Sequence, residues 1–152
     1  MIKLEFPDPS TFQIKMVGST GMIFDTIRKG WFVLTEEEWV RQNFVNYLIK
    51  VQSYPATLIA MEKMITLGEL NKRFDILVYD QQHQPFMMVE CKAPSVPLTE
   101  NVLHQLLRYH ISVPAGYLII TNGSNTYGWV KKNNALELLE EIPAWENTVE
   151  GT

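Results

Sequence analysis

The chain of 152 residues has one cysteine, no hydrophobic run long enough to cross a membrane and no excess of positive charge. A single cysteine excludes an internal disulfide and agrees with a reducing compartment. No apolar stretch approaches the roughly 18 residues of a membrane span, and the first residues lack a signal-peptide pattern. We therefore expect a cytoplasmic protein with no membrane partner.

Basic residues are in the minority, with 13 Lys and Arg against 17 Asp and Glu, and the net charge is −4. A broad phosphate-binding surface is normally basic, so this composition counts against tight, unaided binding of nucleic acid. A local basic patch is still compatible with an acidic whole. Internal repeats and Gly/Ser linkers are also missing, and the length fits a single domain over residues 1–152.

Short apolar stretches near the N-terminus predict a small antiparallel β extension over residues 1–34. The three stretches are Phe12–Val17, Met22–Phe24 and Trp31–Leu34. Their apolar side chains either cover this sheet or offer a surface to a second copy of the chain.

Two amphipathic helices are predicted in the core, which we place at residues 35–142. Thr35, followed by three glutamates, has the form of a capping box and begins a helix that ends near Val51. Thr99 caps a second helix over about Glu100–His110.

Apolar, β-rich runs predict five strands around these helices. Four have clear strand composition: Phe74–Asp80, Phe86–Lys92, Tyr117–Thr121 and Tyr127–Lys131. Leu58–Ile65 fits neither period cleanly, and we favour a strand because it precedes the hairpin. We expect Leu136–Ile142 to be a short helix and the tail, residues 143–152, to be loose from Trp145. The element order predicts an α/β (α+β) fold with a mixed central sheet flanked by helices and a right-handed crossover.

Two acids and a lysine converge in the predicted hairpin. Asp75 begins its first strand, and Glu90-Cys91-Lys92 closes the second. Alternation places Glu90 and Lys92 on one face, and antiparallel pairing brings Asp75 beside them. Carboxylates are the ligands that Mg²⁺ prefers, and a lysine can position an attacking water. An ordinary surface ion pair is the alternative, but charges at the end of a buried strand are costly unless they pair or bind metal.

The hairpin resembles the core of the PD-(D/E)xK nuclease superfamily. Its string Val89–Pro94 resembles more closely the N-terminal nuclease domain of type I restriction enzyme R subunits. Further matching pieces follow in order: Glu37–Gln42, Tyr54-Pro55, Arg73–Ile76, Gln105 with Tyr109, and Thr121–Gly123. The resemblance implies a restriction-endonuclease-like fold and an endodeoxyribonuclease that uses Mg²⁺ or Mn²⁺ and leaves 5′-phosphate ends.

The resemblance also implies a role for each residue of the site. Asp75 and Glu90 hold the metal ion together with the carbonyl of Cys91. Lys92 orients the attacking water, and Gln105 supports either Lys92 or a phosphate of the DNA.

A glutamate on the first helix belongs to the metal site in many members of the resembled superfamily. Glu37 fits this position because it shares the helix face of Val40 and Phe44, whereas Glu38 is assigned to the cap. The alternative is that the glutamates only form a favourable acidic first turn.

We assign DNA contacts to Arg73, Arg108 and Tyr109. Arg73 pairs with Glu62 in the alternative interpretation. Arg108 is alternatively an exposed helix charge, and Gln105 a solvated polar side chain.

DNA is the expected partner, together with a homodimer mate or a separate motor or specificity subunit. The 152 residues contain no Walker A loop, so ATP-driven translocation is not carried over from the resembled subunits. The acidic pI and the missing motor favour a rival function, a non-catalytic nucleic-acid or protein-binding module that keeps the nuclease fold.

Overall fold

The computed structural model, which describes residues 1–146, has two sheets, two α-helices and two short 3-10 helices, at Pro9–Thr11 and Ala56–Leu58. The α-helices are α1, Glu36–Lys50, and α2, Glu100–His110. Within the described residues the strands are β1 Ile14–Val17, β2 Thr20–Asp25, β3 Gly30–Val33, β4 Ile59–Leu67, β5 Leu70–Tyr79, β6 Pro85–Cys91, β7 Tyr117–Thr121, β8 Thr126–Lys132 and β9 Ala135–Leu138. The chain therefore has the mixed helix and strand content that the sequence predicts.

The N-terminal strands form the predicted antiparallel sheet, in the order β1-β2-β3. Two residues, Gly18 and Ser19, connect β1 to β2, and Gly18 has a φ of 61°. This left-handed conformation favours glycine and matches the tight turn of a hairpin. The predicted N-terminal β extension is thus confirmed as a three-stranded sheet.

The central sheet has six strands in the order β4-β5-β6-β7-β8-β9. Neighbouring strands are antiparallel except β6 and β7, which run parallel because α2 lies in the connection between them. This arrangement confirms the predicted mixed sheet, and the ambiguous segment before the hairpin is a strand, β4.

Alternating side chains of the central sheet pack against a different helix on each face. Ile76, Val89 and Ile119 join the cluster that contains Phe44 and Leu48 of α1. On the other face, Leu77, Met88 and Leu118 form a cluster with Leu107 of α2. The helices thus cover opposite faces, as in the predicted α/β layering.

The prediction of a short helix over Leu136–Ile142 is wrong. Residues Ala135–Leu138 form β9, which pairs with β8. Asn133 and Asn134 both have positive φ, 51° and 64°, and asparagine tolerates this conformation in a two-residue hairpin turn. The turn returns the chain to the sheet before a helix can begin.

Both ends of the described chain contact the core, which the sequence did not indicate. The N–H of Trp145 donates to the carbonyl of Gln52, and its ring lies 5.7 Å from that of Tyr54, so the expectation of a loose tail is wrong up to residue 146. The rest of that tail, residues 147–152, lies outside the described residues. Ile2 is buried and bridges to Thr126 of β8.

Within residues 1–146, no helix is both long and apolar enough to span a membrane.

Candidate metal and catalytic centre

Asp75 lies at the point where the β5–β6 ladder ends. Ile76 pairs with Val89, and one residue earlier the Oδ2 atom of Asp75 accepts the N–H of Cys91 at 2.8 Å. This hydrogen bond fixes the carboxylate beside Glu90 and Cys91. The hairpin therefore brings Asp75 to the acid-x-lysine triplet, as the sequence predicts.

The β4–β5 ladder is distorted at the same level. It pairs Met61 with Ile76 and Lys63 with Phe74, whereas Glu62 and Asp75 between them do not pair, and Glu62 has a φ of 53°. Side-chain alternation breaks here, because Ile76 and Phe74 are two residues apart yet pack in the clusters of opposite faces. The distortion turns both acids toward α1, a feature typical of functional sites.

Arg41 of α1 receives these acids and is only 5% exposed. Its Nη2 atom lies 2.8 Å from Asp75 Oδ1, 2.7 Å from Glu62 Oε1 and 3.3 Å from Glu37 Oε2, and its Nη1 atom lies 2.6 Å from Glu38 Oε1. Burial alone would lower the pKa of Arg41, but the hydrogen bond and charge of Asp75 and the nearby glutamates raise this pKa overall. Arg41 is the hub of the acidic cluster, and sequence reasoning missed it.

The carboxylate of Glu38 links this hub to the N-terminal sheet. It accepts hydrogen bonds from Arg28 at 2.7 Å and Gln42 at 2.9 Å, and Arg28 also pairs with the buried Asp25. The interpretation of Glu38 as a reciprocal cap is wrong, because only its backbone N–H joins Thr35 Oγ1. The side chain instead forms ion pairs with Arg28 and Arg41.

Glu37 lies on the exposed side of the hub, with 43% of its side chain accessible. Partial burial raises the pKa of Glu37, and the negative charge of Asp75 raises it further, while Arg41 and Lys92 act in the opposite direction. The structure thus brings Glu37 into the electrostatic field of Asp75 and Lys92.

Glu90 has looser partners than Asp75. Its Oε1 atom is 3.6 Å from Lys92 Nζ, and its Oε2 atom is 3.4 Å from Nε2 of His110, the last residue of α2. His110 is buried, and one sequence signal could have found it: it lies seven residues after Leu103, on the helix face that packs inward. The N–H of Lys92 donates to Thr121 O at 2.8 Å, which fixes the backbone of the triplet.

The thiol of Cys91 points into the core and is fully buried. Burial raises the pKa of this thiol strongly, and the charge of Asp75 raises it further. The thiol is therefore protonated, a poor metal ligand, and the assignment of the Cys91 carbonyl as a ligand stays a prediction.

The predicted DNA-contacting residues, Arg73, Arg108 and Tyr109, are exposed. Arg73 lies 3.6 Å from Glu62, the pairing of the alternative interpretation. Gln105, Arg108 and Tyr109 are exposed on α2, and no hydrogen bond within residues 1–146 joins Gln105 to Lys92. The Nζ atom of Lys72 donates a hydrogen bond to the carbonyl of Tyr109 and thereby joins the end of α2 to β5.

The donors around Asp75 and Glu90 suit a hard cation in kind, since they are carboxylate oxygens beside a lysine. In the described part of the chain, however, no three of the Asp, Glu, His and Cys side chains lie close enough together to hold a metal ion. Arg41 already neutralises Asp75. The residues fit such an ion by chemistry, but Asp75 would have to give up its ion pair with Arg41 in order to bind one.

Residues 36–143 match the family model described as type I restriction enzyme R protein N terminus (HSDR_N). No curated protein matches the chain significantly. A fragment of a protein described as an HsdR subunit of a type I restriction enzyme from Vibrio vulnificus YJ016 has a TM-score of 0.52 at 19% identity, over 73% of this chain. The chain spans 24% of that solved chain, about a quarter of its length.

A second solved structure is that of a protein described as a nuclease belonging to DUF820 from Anabaena variabilis ATCC 29413. Its TM-score is 0.48 at 10% identity, over 79% of this chain and 76% of that chain. At these identities the likeness to solved structures concerns the fold alone.

Proposed function

Because the chain belongs to the family of type I restriction enzyme R protein N termini, we propose that this nuclease-like domain hydrolyses phosphodiester bonds of DNA as a metal-dependent endonuclease. One observation carries the proposal: the hairpin brings Asp75, Glu90 and Lys92 together where the pairing of β5 with β6 ends, with Glu37 of α1 nearby. Two acids and a lysine are the groups that this reaction needs.

Asp75 and Glu90 would hold Mg²⁺ or Mn²⁺, with Glu37 and the Cys91 carbonyl as further ligands. Such an ion, when bound, lowers the pKa of coordinated water and polarises a phosphoryl oxygen. Glu37 is suited to become a metal ligand after the ion has bound the other residues. Its exposure and its raised pKa indicate that its ion pair with Arg41 is weak.

Lys92 supplies the positive charge that remains at the open side of the site. Its side chain is 31% exposed. Its Nζ atom lies 3.6 Å from Glu90 Oε1, so the carboxylate attracts the ammonium group without forming a hydrogen bond with it. The ammonium would donate a hydrogen bond to the attacking water and offset charge that develops on the phosphate.

The ion pair with Arg41 orients Asp75 before any ligand arrives. Around it, Gln105, Arg73, Arg108 and Tyr109 would contact the DNA, the arginines through phosphate oxygens and the tyrosine through its half-exposed ring. Gln105 reaches Lys92 or a phosphate only if DNA binding draws it inward from its exposed position.

A non-catalytic binding module is the second candidate function. It is favoured by the ion pair of Arg41 with Asp75, which neutralises a metal ligand with a protein cation. In that case the acidic cluster stabilises the fold, and the domain contributes only a surface for DNA or protein.

Partners are proposed from charge and exposed apolar surface. A net charge of −4 gives few cations for counterion release, so unaided DNA binding should be weak and salt-sensitive. The three-stranded sheet exposes Ile14, Met16, Val17 and Val33. We therefore favour a homodimer or a separate motor or specificity subunit over an independent monomer.

A cleavage assay tests the proposed function. Plasmid, linear, branched and single-stranded DNA are incubated with Mn²⁺ and either the parent or Glu90→Gln. Glu137→Gln is the matched control, since Glu137 is an exposed acid on β9 of the same sheet. We expect products with the parent and the control but not with Glu90→Gln. Equal products from all three, or none from the parent on any DNA, would refute the endonuclease.

A further inference from the structure

His110 is buried without satisfying its ring nitrogens. It is 1% exposed, and its ring lies 5.5 Å from that of Phe74 and 4.6 Å from that of Tyr109. Neither Nδ1 nor Nε2 has a hydrogen-bond partner within residues 1–146. Buried polar atoms are nearly always paired, so two bare nitrogens on one ring indicate a missing partner.

The missing partner has a defined place, because one of these nitrogens faces a carboxylate of the candidate site. His110 Nε2 lies 3.4 Å from Glu90 Oε2, but the contact lacks hydrogen-bond geometry. The ring nitrogen is therefore aimed to one side of the oxygen and not along the line that joins them.

Two ligands of one metal ion stand in this relation. With metal–ligand distances of about 2.1 Å, two donor atoms lie about 3.0 Å apart at an octahedral angle and about 3.4 Å apart at a tetrahedral angle. Each lone pair then points at the ion between them. The observed separation and the poor alignment of His110 with Glu90 both match this arrangement.

We propose that His110 Nε2 and Glu90 Oε2 bind the same metal ion, so that this chain has a mixed nitrogen and oxygen site that selects Mn²⁺ over Mg²⁺. Imidazole is a good ligand for first-row transition ions, whereas Mg²⁺ prefers oxygen. The inference rests on the proposed function, since Glu90 serves both. The other oxygen of Glu90 faces Lys92 and is left to hold the lysine.

Pulsed electron paramagnetic resonance of Mn²⁺ bound to the whole chain tests the coordination directly. We expect a nitrogen coupling typical of bound imidazole, which changes when the protein is labelled with ¹⁵N-histidine. The coupling should vanish in His110→Gln and persist in His104→Gln, whose histidine is exposed on the same helix. If His110→Gln does not fold, a coupling that persists in both His104→Gln and His83→Gln assigns the nitrogen to His110, because the chain has three histidines.

Calorimetry gives the second readout. The parent should bind Mn²⁺ more tightly than Mg²⁺, and His110→Gln should narrow that ratio by about tenfold or more, the scale on which metal-site contacts change affinity. Mn²⁺ binding without nitrogen coupling overturns the role of His110 and leaves the endonuclease proposal standing. A parent that binds no Mn²⁺ overturns both.

Discussion

Asp75 and Glu90 are neighbours where the pairing of β5 with β6 ends, away from the turn of the hairpin, yet their surroundings differ. Asp75 uses both oxygens in short hydrogen bonds, 2.8 Å to Arg41 and 2.8 Å to the N–H of Cys91. Glu90 has Lys92 at 3.6 Å and His110 at 3.4 Å, and neither contact is a hydrogen bond.

The difference shows which half of the site the protein completes by itself. A buried charge is costly unless it is paired. Arg41 forms ion pairs with four carboxylates, and that of Asp75 is one of them. The ring nitrogens of His110 form no hydrogen bond within residues 1–146, and Glu90 forms only long ion pairs, so the lone pairs of both side chains could coordinate a metal ion. Within residues 1–146 the protein itself therefore satisfies both oxygens of Asp75, whereas the contacts of Glu90 are only long ion pairs.

The largest effect is expected when either carboxylate is neutralised. Asp75→Asn and Glu90→Gln should each abolish Mn²⁺ binding, because an amide is a poorer ligand for a hard cation. Only Asp75→Asn also weakens the pairing of Arg41, so it alone should lower the urea midpoint of unfolding. Calorimetry and urea denaturation measure the two effects. Parental Mn²⁺ affinity in either variant would contradict the assignment of ligands.

Arg41→Met should destabilise the fold by about 3–5 kcal/mol, since removing one partner of a buried ion pair leaves its mates uncompensated. Arg73→Met is the matched control, because Arg73 is exposed and should change stability by no more than about 0.5 kcal/mol. Urea unfolding of the three proteins compares them. Equal stability would show that the Arg41 hub is not needed by the fold.

Lys92→Ala should retain Mn²⁺ binding and lower the cleavage rate by about 10²-fold, the scale of one lost group that positions water or offsets charge. Lys132→Ala, at the far edge of the sheet, controls for loss of a positive charge. Single-turnover cleavage at saturating Mn²⁺ measures the rate. Near-parental cleavage by Lys92→Ala would remove the lysine from the mechanism.

Glu37→Gln should have the smallest effect on stability, and the size of this effect should depend on pH. The pKa of Glu37 is raised in the fold above its ordinary value of 4.5, so the parent binds this proton more tightly when folded. The stabilisation from that proton is complete below pH 4.5 and is lost as pH rises through the folded pKa. Glu37→Gln should therefore be more stable than the parent at neutral pH but not below pH 4.5. Urea midpoints across pH test this, with Glu36→Gln as control, and a pH-independent difference would contradict it.

Local sequence patterns predicted the elements that carry the site. The capping box at Thr35 and the apolar runs on either side of the hairpin placed α1, β5 and β6, and the family model now supports this architecture. The triplet Glu90 to Lys92 was visible because its spacing is short and its neighbours are apolar. Such features are read from the residues next to them.

The partners of Arg41 and His110 could not be predicted in the same way. Asp75 lies 34 residues after Arg41, and their contact depends on a distortion at Glu62 that breaks the strand period. His110 is similarly joined to Glu90 by the packing of α2 on the sheet. Periodicity assigns a face to a residue but does not specify which distant charge it meets there.

The parallel pairing of β6 and β7 also sets an order for the folding reaction. The antiparallel strands β4–β6 and β7–β9 can each close from short connections, whereas the parallel pair needs the 25 residues between Cys91 and Tyr117 to be spanned. Long closures are entropically costly and come late. His110 reaches Glu90 only after that span has closed, so we expect the two side chains to meet in the last kinetic step of folding. A metal ion that binds both side chains should then slow unfolding and leave the folding rate unchanged.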